Sequence, residues 1–493
     1  MSIEIFFWIL VAARISCFRV DMSDDEFHKL LKSGSFQGFH TPSEFWRHIQ
    51  SLQLDPRNAN FISDLRPIGR SFQNRPINSF FISDDVSNID VLLTRKNIVY
   101  LNAMHHSREP LSLTMILLIV REVLLSLRSE KHTKFKEFFR DNLIAFVPIV
   151  NIDSYTFITN NFSTTSDKEG LMMIRKNRHL SPQCTPFTGG VDLNRNYDFK
   201  FGMNESGSSS DPCAEDYRGE FPFSEPETAA IKQFLDDHPN VISGVNIHTY
   251  GNAWIYPYNF VSDKANHYLK VRKPLFYDFF KEFEHEMSEK NYKALFGNSA
   301  FTLDYPTNGE SGDWMIDRKN ILNLDVELGN NDKKSDQFYP PAEIHDKIVV
   351  FNWAIMREFF FKHIVTLELR QVTRNDGKSH FSFEIFNKAI SNLINFSGKL
   401  KANFRPSMTG NVPVFVYTYC IKDALTDKCE HIPVVQGEIN TTLKGRHVLE
   451  LNVKSLNRFD IELLDSVELR VTRNVPYKNY EDQIFEFSVR NAV

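Results

Sequence analysis

The sequence predicts an α/β unit, a mixed central sheet with helices on both faces, followed by an all-β, sandwich-like unit. Two observations carry this. Buried apolar runs of strand length alternate with helical stretches as far as residue 361, and from residue 366 a strict apolar/polar alternation replaces them. Residues 98–103 form the first buried strand, and Pro110 opens a helix over residues 111–125, where its missing N–H leaves no helical hydrogen bond unmade. Residues 143–150 read as a second strand. Ser224-Glu225-Pro226-Glu227 reads as a capping box that starts a helix over residues 228–235. Two more apolar runs, 241–247 and 321–326, complete a sheet of the kind that collects ligands beyond the carboxyl ends of its strands. After a helix over residues 344–361, residues 366–370, 380–385 and 467–471 alternate with period two, as half-buried strands do. The boundary falls near residue 365, giving domains of residues 37–364 and 365–493.

The 493 residues, 42% hydrophobic and 24% charged, are enough for two cores and too apolar for a disordered chain. A net charge of -5 with no basic stripe excludes a nucleic-acid partner. Residues 5–13 are apolar but too few to span a bilayer, and they suit the core of a secretory signal, placed at residues 1–17, with residues 18–36 as an N-terminal extension. No later run is long enough for a membrane span. If Cys17 leaves with the signal, Cys184, Cys213, Cys420 and Cys429 remain, which allows three connectivities; local pairing is the simplest. Sequons at Asn161, Asn204, Asn395 and Asn440 fit the same secretory route. The expected location is extracellular, with an acidic secretory-pathway vesicle as the alternative.

His106 and Glu109, three apart where a strand gives way to a helix, can share a metal. His447 and Glu450 have the same spacing but lie in an alternating β pattern, which sends them to opposite faces. His248 directly follows another buried strand and can supply a third ligand. Two histidines and one carboxylate leave the fourth position of a tetrahedral zinc open, the catalytic rather than structural arrangement. Glu327 ends the run 321–326 and is placed to take a proton from water. Arg175, Asn194 and Arg195 can clamp a carboxylate and a developing oxyanion.

The segments His106-Ser107-Arg108-Glu109-Pro110, Pro148-Ile149-Val150-Asn151-Ile152-Asp153-Ser154-Tyr155, Gly190-Val191-Asp192-Leu193-Asn194-Arg195-Asn196, Asn246-Ile247-His248-Thr249-Tyr250 and Val326-Glu327-Leu328 resemble, in order, those of the carboxypeptidase A-like zinc carboxypeptidases. The resemblance covers residues 39–361. It implies one zinc on His106, Glu109 and His248, with Asp192 behind His106. It implies Glu327 as general base, Arg175 as oxyanion stabiliser, Asn194 and Arg195 as the clamp on the substrate α-carboxylate, and Tyr305 as a mobile closing residue. Arg108 and Tyr250 would line neighbouring peptide subsites, and the Cys184 and Cys213 pair matches a family disulfide. The implied activity is removal of single residues from the C-termini of peptides or proteins. With about twenty residues expected between the signal and this region, control by a long inhibitory propeptide is not expected; the β unit is similar to the accessory sandwich of the regulatory carboxypeptidases, and its expected role is folding support or the binding of a protein partner.

The position that is apolar in A-type and acidic in B-type pockets falls on Gly312, matching neither, while Asp304 and Glu310 flank the same loop and favour a basic or mixed preference. Two other readings use the same residues: a catalytically silent binding or adhesion protein on this fold, and a zinc deacylase of acyl-amino acids. The full set of ligands, base and clamp argues against both.

Overall fold

The computed structural model describes residues 18–329 and 337–364 and the backbone of nine strands between residues 367 and 488. The chain divides into two compact units, Met1–Phe361 and Lys362–Val493. In the first, eight strands form one mixed sheet: β1 (Arg66–Arg70), β2 (Pro76–Ile82), β3 (Asn97–Ala103), β4 (Asn142–Val147), β5 (Val241–Thr249), β6 (Ala253–Ile255), β7 (Leu295–Gly297) and β8 (Leu322–Leu328). Their spatial order is β1-β2-β4-β3-β5-β8-β6-β7. The central strands β4, β3, β5 and β8 run parallel, and antiparallel pairs flank them. Every residue of β4 and all but the first of β3 are buried. Since successive side chains alternate faces, both faces of the sheet centre are covered.

The elements follow the local sequence with two corrections. The helix Leu111–Arg128 begins directly after Pro110, as expected. The helix Pro226–Asp237 takes Glu225, not Ser224, as its N-cap and has no side-chain cap; the expected capping box does not form. Its partner is spent elsewhere, because Glu227 accepts from Phe72 N at 2.9 Å and from Asn177 Nδ2 at 3.3 Å. The second correction is that β5 and β8 each extend two residues past the apolar runs, so His248 and Glu327 are strand residues rather than residues of a following loop.

Residues 18–36, expected as an extension, are part of the first unit's core. The helix Asp24–Leu31 is started by a true capping box between Ser23 and Glu26, and it packs on the helices Leu111–Arg128 and His345–Phe361. Phe18, Phe27, Leu30 and Leu31 are buried there, and Arg121 lies 4.6 Å over the Phe27 ring while pairing with Asp24 at 2.7 Å.

The second unit holds two antiparallel sheets, of five and four strands. His447 and Glu450 both fall on the strand Arg446–Ser455, an odd number of residues apart and therefore on opposite faces. Cys420 and Cys429 lie on neighbouring strands, opposite His431 and Lys422 respectively. Their expected disulfide, like the signal at residues 1–17, lies outside the described residues. Among the described residues, no helix is long and apolar enough to cross a membrane.

The N-terminal segment also carries a pH-dependent term. His40 and His48 are buried with ring centroids 4.7 Å apart, and His40 keeps one hydrogen bond, from Nε2 to Leu30 O at 3.0 Å. Burial lowers His40 to about 4, and burial followed by repulsion from His40 lowers His48 to about 3. The unfolded chain, with histidines near 6.5, therefore binds more protons than the folded one between pH 6.5 and about 3. Stability from this pair is complete above pH 6.5 and is lost as pH falls through that window. The Tm of the wild-type chain is expected to drop between pH 7 and pH 4.5 by about 5 °C more than that of His48→Gln, measured by scanning calorimetry.

Candidate metal centre and substrate site

The parallel register brings three strand ends into line. Ala103 pairs with Ile247, Ile247 with Val326 and His248 with Glu327. The chain leaving β3 turns through Met104 and His105 to present His106 and Glu109 before the helix Leu111–Arg128 begins. That turn is tied down from outside the sheet. Ser107 Oγ donates to Ile174 O at 2.8 Å, Ser107 N donates to Arg175 O at 3.2 Å, and Asn151 Nδ2 donates to His105 O at 3.2 Å.

His106, Glu109 and His248 are all buried and offer donor atoms within 4.8 Å of one another. His106 Nδ1 lies 2.8 Å from Glu109 Oε1, His248 Nδ1 lies 2.9 Å from Glu109 Oε2, and the two Nδ1 atoms are 3.2 Å apart. The two imidazole nitrogens and both carboxylate oxygens thus face one another at a single point, as the ligands of one metal ion do. Ligand bonds of roughly 2.0–2.1 Å in a tetrahedron put neighbouring ligand atoms about 3.3 Å apart, close to what is seen. The donor set therefore fits a zinc-sized ion. His106 Nε2 faces Asp192 Oδ1 at 3.1 Å, the outer contact that orients a metal-binding imidazole.

Electrostatics favour the ionised form of the Glu109 and Asp192 carboxyls. Burial raises Glu109, but the charges and hydrogen bonds of His106 and His248 outweigh it and hold the carboxyl well below its ordinary range. Burial lowers His248, and the Glu109 carboxylate offsets part of this. Asp192 is likewise disfavoured by burial but held well below its usual range by Arg175, His106 and Arg195. Arg175 donates to Asp192 Oδ2 from Nε at 2.9 Å and from Nη2 at 2.8 Å, and its Nη1 stands 3.9 Å from Glu109.

Glu327 lies opposite His248 on the adjoining strand, and its Oε2 is buried with no hydrogen-bond partner. Burial, with the Glu109 charge added, raises it well above the ordinary carboxylate range. Arg195 is buried, donates from Nη1 to Asn194 O at 2.8 Å and keeps Nε unpartnered. Asn194 is fixed by Ser311, which donates to its Oδ1 from N at 3.0 Å and from Oγ at 2.8 Å. Gly309, at φ +70°, lets this loop pass close to Arg195, since a Cβ there would stand 2.4 Å from Arg195 O. Tyr305 and Tyr250 are 48% and 41% exposed, the accessibility a mobile or subsite residue needs. Tyr250 meets Phe338 edge-on, and Arg108 lies 4.2 Å over the same Phe338 ring while pairing with Glu215 at 3.1 Å. Cys184 and Cys213 form a disulfide.

Phe338 and Glu215 went unread in the sequence because each acts through its neighbours, Phe338 beside Arg108 and Tyr250 and Glu215 beside Arg108. Asp325 was missed for a different reason: residues 321–326 read as an apolar run, although Asn323, Asp325 and Glu327 alternate along it and so share one face of β8.

A family model described as zinc carboxypeptidase matches residues 53–354. The chain is 30% identical to Mus musculus carboxypeptidase A1 over 236 residues, 47% of this chain and 49% of that protein. It is 28% identical to Homo sapiens carboxypeptidase A5 over 294 residues, 58% of each chain. It is 26% identical to Bos taurus carboxypeptidase B2 over 322 residues, 63% of this chain and 67% of that protein. The chain thus spans about half to two-thirds of the length of these relatives. Among solved structures, carboxypeptidase A from Helicoverpa armigera aligns with TM-score 0.51 and 21% identity over 71% of this chain and 76% of that one. Thrombin activatable fibrinolysis inhibitor aligns with TM-score 0.54 and 21% identity over 69% and 80%. At these identities the structures establish a shared fold.

The donor geometry predicts one zinc per chain, removed by a chelator and lost in His248→Ala. Asp192→Asn, which keeps the shape but weakens the bond to His106, is expected to lower zinc affinity by about 10- to 100-fold in a competition titration.

Proposed function

This chain belongs to the zinc carboxypeptidase family, and we propose that it is a metallocarboxypeptidase that hydrolyses the C-terminal peptide bond of peptides or proteins. His106, Glu109 and His248 would hold its single zinc. The observation that carries the reading is the convergence of these three buried ligands with the unpartnered oxygen of Glu327 on the adjoining strand.

Bound there, zinc would supply Lewis acidity, polarising the scissile carbonyl and making water more acidic. Glu327 takes the proton of the attacking water on its free oxygen and later returns it to the leaving amine. Its partial burial on the strand keeps bulk water from solvating the base. Arg195 and Asn194 bind the free α-carboxylate of the substrate, which selects chain ends, because an internal peptide bond has no charge to pair at that point. Arg175, anchored through Asp192, presents its remaining N–H groups to the negative charge that develops on the carbonyl oxygen. Tyr305 closes over the bound end, and Arg108 and Tyr250 contact the preceding residues of the peptide.

Export from the cell is supported by the Cys184–Cys213 disulfide and the short apolar N-terminal run. Residues 365–493, as two antiparallel sheets, are read as an accessory β-sandwich domain that supports folding or binds a protein partner.

Peptides that differ only in a free or amidated C-terminus, incubated with and without a chelator, test the reading by mass of the products. Chelator-sensitive loss of one residue from the free acid alone is expected. Glu327→Gln should lower kcat by about 10²- to 10⁴-fold while retaining zinc, the range for removal of a general base. Zinc-loaded protein that cleaves neither peptide would overturn the proposal.

A further inference from the structure

Ser311, which holds Asn194, lies in a segment that carries the carboxylates Asp304, Glu310 and Asp313, and all three are already committed. Asp304 is 83% exposed and pairs with Lys264 at 2.8 Å, so it faces solvent rather than the site. Glu310 is buried, with Oε1 accepting from Asn259 Nδ2 at 2.5 Å and Oε2 from Thr307 Oγ1 at 2.9 Å. Asp313 accepts from the backbone N–H groups of Asn259 and Phe260 at 2.8 and 3.1 Å. The expectation that Asp304 and Glu310 read the substrate side chain therefore does not hold in the geometry.

Asp325 is different. It is 5% exposed, and both of its hydrogen bonds, from Asn246 Nδ2 at 2.5 Å and Asn323 Nδ2 at 3.0 Å, go to Oδ1. Oδ2 is buried and accepts nothing from any described residue. That oxygen is aimed at Gly312, since a Cβ on Gly312 would stand 2.5 Å from it. Only glycine fits beside this free oxygen, which any larger residue would press upon. Asp325 also shares its strand face with Glu327, two residues on.

A continuous chain of hydrogen bonds joins Asp325 to the clamp. Asp325 Oδ1 accepts from Asn246 Nδ2, which also donates to Ser311 Oγ at 2.8 Å, and Ser311 Oγ donates to Asn194 Oδ1 at 2.8 Å. Three such links bound the distance from clamp to acid to a span that an extended lysine or arginine side chain crosses. Burial, and then the nearby Glu310, disfavour the charge on Asp325, with Arg195 offsetting only part of this. A cation delivered to Oδ2 would supply the missing partner.

We propose that Asp325 is the specificity-determining residue of this site, its free oxygen pairing with the ammonium or guanidinium of a C-terminal lysine or arginine. The substrate class is then peptides with basic C-termini. This rests on the carboxypeptidase reading given above. It differs from the expectation at position 312: the acid stands on the sheet, and Gly312 makes room for it.

The test uses the full zinc-loaded chain and peptides identical except for a C-terminal Arg, Lys, Leu or Phe. The kcat/KM for Arg and Lys ends should exceed that for Leu and Phe by about 100-fold or more, and the near-isosteric Asp325→Asn should collapse that ratio, as expected when one partner of a buried ion pair is removed. A wild-type preference for Leu or Phe, or a ratio that Asp325→Asn leaves intact, would overturn the assignment. Calorimetric binding of free arginine against free leucine to the wild-type chain gives a readout that needs neither turnover nor a variant. Tighter arginine binding supports the role of Asp325, and equal or reversed affinities overturn it. Absence of any peptide cleavage sinks the catalytic reading alone, because the binding comparison still decides the pocket.

Discussion

The register of three parallel strands is the constraint on which the rest of the site depends. β3, β5 and β8 are adjacent, and the pairing of Ala103 with Ile247, Ile247 with Val326 and His248 with Glu327 brings their carboxyl ends level. A slip of one residue between β5 and β8 would turn Glu327 to the opposite face from His248 and carry Asp325 away with it. The register is protected by burial: along β5 and β8 nearly every residue on both faces is covered, so any slip would expose apolar side chains and bury polar ones without partners. The chemistry therefore draws its precision from packing that is remote from it.

Asp192 is the second point of dependence, and it is electrostatic. One carboxylate faces His106 Nε2, accepts from Asn194 N at 2.9 Å and holds Arg175 through two donors. The His106 imidazole, the Asn194 backbone and the Arg175 guanidinium are thus positioned by the same two oxygens. Removing that charge would disturb all three at once, and the fully buried setting gives no water to take its place. The neighbouring backbone is secured in a similar way, with Lys176 donating to Pro212 O and Ala214 O at 2.7 Å close to the Cys184–Cys213 disulfide.

The buried centre of the sheet was legible in the sequence because strands covered on both faces are continuous apolar runs, as residues 98–103 and 241–247 are. The same criterion ended β5 and β8 two residues too early and ran past the end of β4 at Val147. His248, Glu327, Asn323 and Asp325 are polar residues inside strands, so apolarity stops where the site begins, and only the alternation of Asn323, Asp325 and Glu327 on one face could have signalled it. β6 and β7, at three residues each, are too short to leave a periodic trace. The Ser224 capping box failed because its glutamate found a better use, Glu227 joining Phe72 to Asn177. Residues 18–36 carry their own capping signal in Ser23 and Glu26, but nothing local says that Phe27 and Leu30 complete the core of a helix pair more than eighty residues away. The grouping of His106, Glu109 and His248 came from strand-end position and ordered motifs together; spacing alone also selects His447 and Glu450, which lie on opposite faces of a strand.

Charge balance connects these parts. Among the described residues, the carboxylates of Glu109, Asp192, Asp325 and Glu327 lie close together, with Arg175 and Arg195 as cations beside them. Desolvation makes such an excess of negative charge costly, and the structure shows where the cost is concentrated, in the unpartnered oxygens of Glu327 and Asp325. The two cases resolve differently. Around Glu109 the histidine nitrogens converge, and a divalent cation bound there would balance the ligands and leave Glu327 free to exchange a proton. Around Asp325 the amide nitrogens of Asn246 and Asn323 converge on Oδ1 but carry no charge, and the balancing charge for Oδ2 has to arrive from outside. A substrate with a free carboxylate for Arg195 and a basic side chain for Asp325 brings equal and opposite charges to two sites that each lack one, so it enters without adding net charge to the buried region. A substrate with an apolar end would satisfy the clamp and leave Asp325 unpaired, and that difference is the physical origin of the specificity.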